Sequence, residues 1–233
     1  MSKSLVEDIN MKIEIESNIL RYYFRNVYFI NGTAYAGKST MVAMLAEKYA
    51  MVHCGENYHL KNCDKFVTPE YQPCIGYFHT MKDWQEFINR TPDEYEKWID
   101  GSSLEAAQIE IAELLRIPDV EKVIVDTNMP LEILREISDY HHVAIMLSPQ
   151  SMSIERFFDR SDEEKQFLLE QIHLSENPEK TMDNFKECLA RINSTERYHE
   201  FLNSGFFTIV REDTEADTRI DTMNKLAEHF QLE

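Results

Sequence analysis

Residues 27–49 constrain this chain more than any other stretch. Val27-Tyr28-Phe29-Ile30 is a short apolar run of strand formers. Lys38 to Tyr49 holds good helix formers, with apolar residues at 41, 44, 45 and 49. Between them lies Gly32-Thr33-Ala34-Tyr35-Ala36-Gly37-Lys38-Ser39, which matches G-x-x-x-x-G-K-[ST] at every position. The order is strand, glycine loop, helix. Glycines let a backbone turn tightly and bring its N–H groups close to phosphate oxygens. A helix starting at Lys38 adds its dipole and its unpaired amides. Lys38 then reaches the β- and γ-phosphates, Ser39 ligates Mg²⁺, and Thr40 hydrogen-bonds the α-phosphate. The chain has only six glycines, so two in one loop at this spacing carry weight.

The rest of the chain alternates strand and helix. Residues 50–54, 123–125, 143–147 and 206–210 read as strands, and the second of these ends on Asp126. Residues 60–80 look irregular. Residues 81–116 read as helices, punctuated by Gly101 and Pro118. Residues 131–137 form a short helix. Residues 153–202 are charged and helical, with a break at Asn177-Pro178. Residues 215–230 form a closing helix with Ile220, Met223, Leu226, Ala227 and Phe230 on one face. Residues 1–25 read as an amphipathic helix with Leu5, Ile9, Ile13, Leu20 and Phe24 near one face, either packed on the domain or offered to a partner. This alternation predicts an α/β fold with a mostly parallel sheet covered on both faces. Trp84, Phe87, Tyr95 and Trp98 read as core packing.

Composition removes several functions. The 42 acidic and 24 basic side chains leave a net charge of −18. That surplus repels phosphate backbones and anionic lipid surfaces, so general nucleic-acid binding and membrane docking are not expected. No stretch approaches the roughly 18 apolar residues of a membrane span. The first residues lack the apolar core of a signal peptide, so the expected location is cytoplasmic. Cys54, Cys63, Cys74 and Cys188 then read as reduced thiols. The first three share a stretch with His53, His59 and His79, but the spacings fit no common zinc module.

On residues 27–49 the chain resembles the P-loop NTPases. Within them it resembles the small-molecule and nucleoside kinases of the shikimate-, gluconate- and adenylate-kinase type. The likeness is weaker through the rest of the sheet. It implies a three-layer P-loop kinase-like fold over residues 26–233, with about five parallel strands and the loop-bearing strand in the middle. Residues 60–118 become a helical substrate-binding insertion, and residues 150–200 include a mobile lid. In Gly55-Glu56-Asn57-Tyr58-His59, Glu56 takes the place of the acid that holds the substrate hydroxyl. Asp126 takes that of a Walker-B-type acid, orienting Mg²⁺ or accepting the substrate proton; which of Glu56 and Asp126 is the base stays open. Arg156 and Arg160, four residues apart, occupy the place of lid arginines that stabilise charge on the transferred phosphoryl group. Arg211 lies where related kinases hold adenine, and Arg191 and Arg197 are lesser candidates. The expected activity is an ATP- and Mg²⁺-dependent kinase acting on a small-molecule phosphoryl acceptor. The alternative is a nucleotide-dependent regulatory ATPase or switch. No Asn-Lys-x-Asp guanine signature is present. The acceptor's identity and any homo-oligomer stay open.

Overall fold

The computed structural model describes residues 14–149, 157–158, 163–211 and 216–233. Five strands form one all-parallel sheet: β1 (Val27–Gly32), β2 (Val52–Cys54), β3 (Val123–Asp126), β4 (Val143–Leu147) and β5 (Phe207–Val210). Their order is β2-β3-β1-β4-β5, so the loop-bearing strand is central.

The continuous apolar runs are needed because this sheet is buried on both sides. Side chains alternate along a strand. Val27, Phe29, Val123, Val125, Val143, Ile145 and Leu147 enter one core. They meet α1 (Ser17–Tyr23), α4 (Pro92–Leu114) and α5 (Leu131–Ile137) through residues such as Leu20, Leu114 and Leu134. Tyr28, Ile30, Ile124, Ala144 and Met146 enter the other core, against α2 (Lys38–Tyr49) and α9 (Arg219–His229). Phe29 and Ile30 have no exposed surface, and burying such side chains contributes about 1.5–3 kcal/mol each.

A separate core joins α3 (Trp84–Ile88) and α4 to α6 (Glu163–His173) and α7 (Pro178–Ile192), around Phe87, Tyr95, Ile172, Phe185 and Leu189. Trp84, Phe87, Tyr95 and Trp98 pack edge-on or tilted within it, as core aromatics do. Arg191 bridges Asp93 and Glu96, and Arg197 of α8 (Thr195–Leu202) bridges Glu96 and Asp100, so both arginines tie the later helices to α4.

Three expectations change. Gly101 does not punctuate a helix: α4 runs through it, started by a Thr91–Glu94 capping box and Pro92. A Cβ at 101 would meet Cys74 Sγ, so this glycine admits the packed 73–76 segment, whose Cys74 carbonyl accepts from Trp98 Nε1 at 2.9 Å. The helix expected over 1–25 is observed as α1, which begins at Ser17 with residues 14–16 outside it; Leu5, Ile9 and Ile13 lie outside the described residues. Its Leu20 and Phe24 are buried, and Arg21 hydrogen-bonds the Glu136 and Arg135 carbonyls at the end of α5. Ile220 is 58% exposed, while Met223, Leu226 and Ala227 of the same helix and Phe230 at its C-cap are buried. Among the described residues, no helix is long and apolar enough to cross a membrane.

Candidate active site

The glycine loop runs from the end of β1 to the start of α2. Gly32 has φ 130°, and a Cβ there would strike the Met146 backbone. Gly37 caps α2 with φ 90°. Both values lie where only glycine is unstrained. Tyr35 also sits at φ 64° without being glycine. Its carbonyl accepts from Arg211 Nη1 at 2.8 Å, so Arg211 reaches the loop from the end of β5. The end of β4 straps the loop further. Thr33 N donates to the Met146 carbonyl at 3.0 Å, Ser148 N donates to Thr33 Oγ1 at 2.8 Å, and Ser148 Oγ donates to the Ala34 carbonyl at 2.7 Å. Ala36 is buried, while Thr40 is exposed on the first turn of α2.

Lys38 is buried, with Nζ 3.4 and 3.3 Å from the Gly32 and Thr33 carbonyls, so its ammonium lies over the loop. Ser39 Oγ donates to Asp126 Oδ2 at 2.6 Å. Parallel pairing of Ile30 with Asp126 sets this contact between residues 87 positions apart. Asp126 is 1% exposed, and its Oδ1 has no hydrogen-bond partner among the described residues. Burial pushes its pKa up; Lys38 and the Ser39 hydroxyl pull it down, Glu56 pushes it up and His53 pulls it down, and the net direction is up. Glu56 is exposed on the loop after β2 and acts on Asp126 through the field alone. Arg156 and Arg160 lie outside the described residues.

The loop also walls a cavity of about 810 Å³. Asn31 to Ala34 form one side. Residues 128–132, α4, α7 and α8 form the others, with Arg197 and Tyr198 among the lining side chains. A second cavity, about 460 Å³, lies among Tyr77, Arg90 and Trp98 and includes none of the loop residues.

The sequence pattern missed the polar group behind this wall. Glu110 of α4 is 1% exposed and accepts from Thr127 Oγ1 at 2.8 Å. Burial raises its pKa to about 8; the Thr127 hydrogen bond opposes that rise and the Asp126 charge adds to it. His59 lies 4.0 Å away from Glu110 and is itself buried, which lowers its pKa to about 4. A signal existed: Ala107, Glu110 and Leu114 share one helical stripe, and Glu110 is the lone polar member. Among the described residues, no group of three or more His, Cys, Asp or Glu side chains is placed to hold a metal ion, so the Cys54–Cys63–Cys74 stretch and its histidines form no such site.

No family model, curated protein or solved structure matches this chain. The site must therefore be read from its own geometry.

Proposed function

We propose that this protein is an ATP-dependent phosphotransferase of the P-loop kinase type, moving a phosphoryl group to a small molecule seated in the 810 Å³ cavity. The observation that carries this reading is the 2.6 Å contact between Ser39 and Asp126, beside Lys38, in a loop that itself walls the cavity. The cavity touches the loop at Asn31 to Ala34, ahead of Lys38 and Ser39, so an acceptor seated there would meet the loop at its first residues.

Ser39 and Asp126 fit Mg²⁺. They present a hydroxyl and a carboxylate oxygen together, with Asp126 Oδ1 buried and unpartnered among the described residues. A pair is sufficient, because Mg²⁺ commonly takes one or two protein oxygens and completes its shell with phosphates and water. When bound it supplies positive charge against the polyphosphate oxygens.

The chain's own residues do the remaining work. Gly32 and Gly37 shape the backbone so that amides face the phosphates, and α2 directs its N-terminal dipole at them. Lys38 swings from the loop carbonyls onto phosphate oxygens and offsets the −18 field locally. Arg211 braces the loop at Tyr35. Asp126 is the better base candidate by burial, and Glu56 is the better by access to solvent-borne substrate. Arg156 and Arg160 are proposed as the cations on the transferred group.

The test is a screen for ATP·Mg²⁺-dependent phosphorylation across hydroxyl- and phosphate-bearing small molecules, with Lys38→Met as control. Acceptor-dependent ADP formation that Lys38→Met abolishes supports the reading. Slow hydrolysis indifferent to every acceptor favours a regulatory ATPase instead.

A further inference from the structure

Four buried residues connect helix α4 to the glycine loop by an unbroken run of hydrogen bonds. Thr127 Oγ1 donates to Glu110 Oε2 at 2.8 Å and accepts from Met129 N at 3.1 Å. The Met129 carbonyl accepts from Asn31 Nδ2 at 2.7 Å. Asn31 Oδ1 accepts from Gly32 N at 2.6 Å. Glu110, Thr127, Met129 and Asn31 are each at most 2% exposed. Strand alternation explains the route. Asp126 points toward α2, so Thr127, the next residue, points to the opposite face, where Glu110 waits.

A buried carboxyl carries a desolvation cost that an apolar side chain at 110 would avoid. Its neighbours on that stripe, Ala107 and Leu114, are apolar. What the carboxyl does that leucine would not is accept the single Thr127 proton. That commits the hydroxyl's lone pair to Met129 N and fixes both donor and acceptor directions at once. Protonated or ionised, Glu110 keeps an acceptor oxygen there, so the connection does not depend on its charge.

We propose that Glu110 is a positioning residue: through Thr127, Met129 and Asn31 it sets the backbone at Gly32, where the phosphate-binding turn begins. Resting on the nucleotide-site reading above, this goes beyond it by making helix α4, a wall of the acceptor cavity, part of what holds the phosphate turn in shape. Gly32 and Asn31 line the same cavity, as does Met129.

The probe is a fluorescent N-methylanthraniloyl ADP with Mg²⁺, titrated into the full chain below its melting temperature. Thr127→Val keeps shape and loses the hydroxyl with both of its hydrogen bonds; it should weaken Kd about three- to tenfold. Thr127→Ser should restore Kd to within about twofold of the parent. Glu110→Leu removes the Thr127 bond alone and should weaken Kd by no more than Thr127→Val does, and the double variant should be no worse than Thr127→Val, because Glu110 acts through Thr127. Ile137→Val, a core deletion remote from the chain of hydrogen bonds, should lower the melting temperature and leave Kd alone. Wild-type affinity in folded Glu110→Leu or folded Thr127→Val overturns the proposal, as does equal weakening by Ile137→Val or by Thr127→Ser. Should Glu110→Leu not fold, Glu110→Ala and Glu110→Gln replace it: the Ala variant should weaken Kd, the Gln variant, which keeps an acceptor oxygen for Thr127, should not, and equal affinity in the two overturns the proposal. If the parent binds the probe, Lys38→Met abolishes binding and the position-127 variants match the parent, only the positioning role falls. If the parent does not bind, the nucleotide-site reading falls and takes this proposal with it.

Discussion

Asp126 and Glu110 are two buried carboxyls at the same end of the sheet, each 1% exposed, and they differ in what they face. Desolvation pushes both pKa values up. Asp126 looks toward α2, where the Lys38 ammonium and the Ser39 hydroxyl both favour its anion. Glu110 looks from α4 toward the end of β3, where the Thr127 hydroxyl is the group that favours the anion, and the Asp126 charge opposes it. Burial alone therefore does not assign a role. The partners separate the two: the Lys38 cation and the Ser39 hydroxyl pull against the upward shift of Asp126, whereas Glu110 serves as a fixed hydrogen-bond acceptor for Thr127.

The largest separation should appear in turnover. Asp126→Asn keeps size and removes the anion, and we expect a loss of about 10²–10³ in ATP·Mg²⁺-dependent rate. Glu110→Gln, which keeps an acceptor oxygen for Thr127, should cost less than about tenfold. A coupled ADP assay on both variants checks this, and comparable losses would erase the distinction drawn here.

The next test removes the cation. Lys38→Met should move the Asp126 titration further up and leave that of Glu110 nearly in place, since Lys38 enters only the Asp126 balance. Carboxyl ¹³C shifts followed against pH report both groups. Ser39→Ala should move Asp126 in the same direction.

The third test reads stability. Glu110 has its pKa raised from 4.5 to about 8 in the folded state, so the fold binds its proton more tightly than the unfolded chain. Its contribution is complete below pH 4.5 and is lost as pH rises toward 8. His59 goes the other way, lowered from 6.5 to about 4, so its contribution is present above pH 6.5 and lost as pH falls toward 4. The two trends oppose each other below pH 6.5. Above it Glu110 acts without His59. Glu110→Gln should therefore flatten the fall in unfolding free energy between pH 6.5 and 8, measured by urea titration. An unchanged slope would show that Glu110 is not held protonated.

A small effect is expected at position 101. Gly101→Ala should destabilise the fold, because the new methyl meets Cys74 Sγ where the 73–76 segment lies on α4. Binding at the glycine loop should be unaffected, since the 810 Å³ cavity does not include Cys74. Thermal melting and the ADP titration together check it.

Legibility followed sequence distance. The glycine loop was readable because all its chemistry lies within eight consecutive residues. The strands were readable because burial on both faces demands unbroken apolar runs, and α5 was placed at its observed bounds. Asp126 is legible as the end of such a run and Ser39 as part of the glycine motif, but their direct contact is not. Gly101 was misread because a local breaker signal cannot show that Cys74 crosses that spot. Glu110 was passed over because one acid in an acidic chain looks solvated until its helical stripe is seen against the sheet.

The sequence alone determined an alternating α/β chain whose first strand feeds a glycine turn, since those features need only local backbone preference and periodicity. The tertiary structure decided that β3 lies beside β1 in the register that brings Asp126 to Ser39, and that Thr127 meets Glu110 behind it. Both contacts join residues far apart in the chain, so they exist only once strand order, register and the pleat have set which side chain faces which helix.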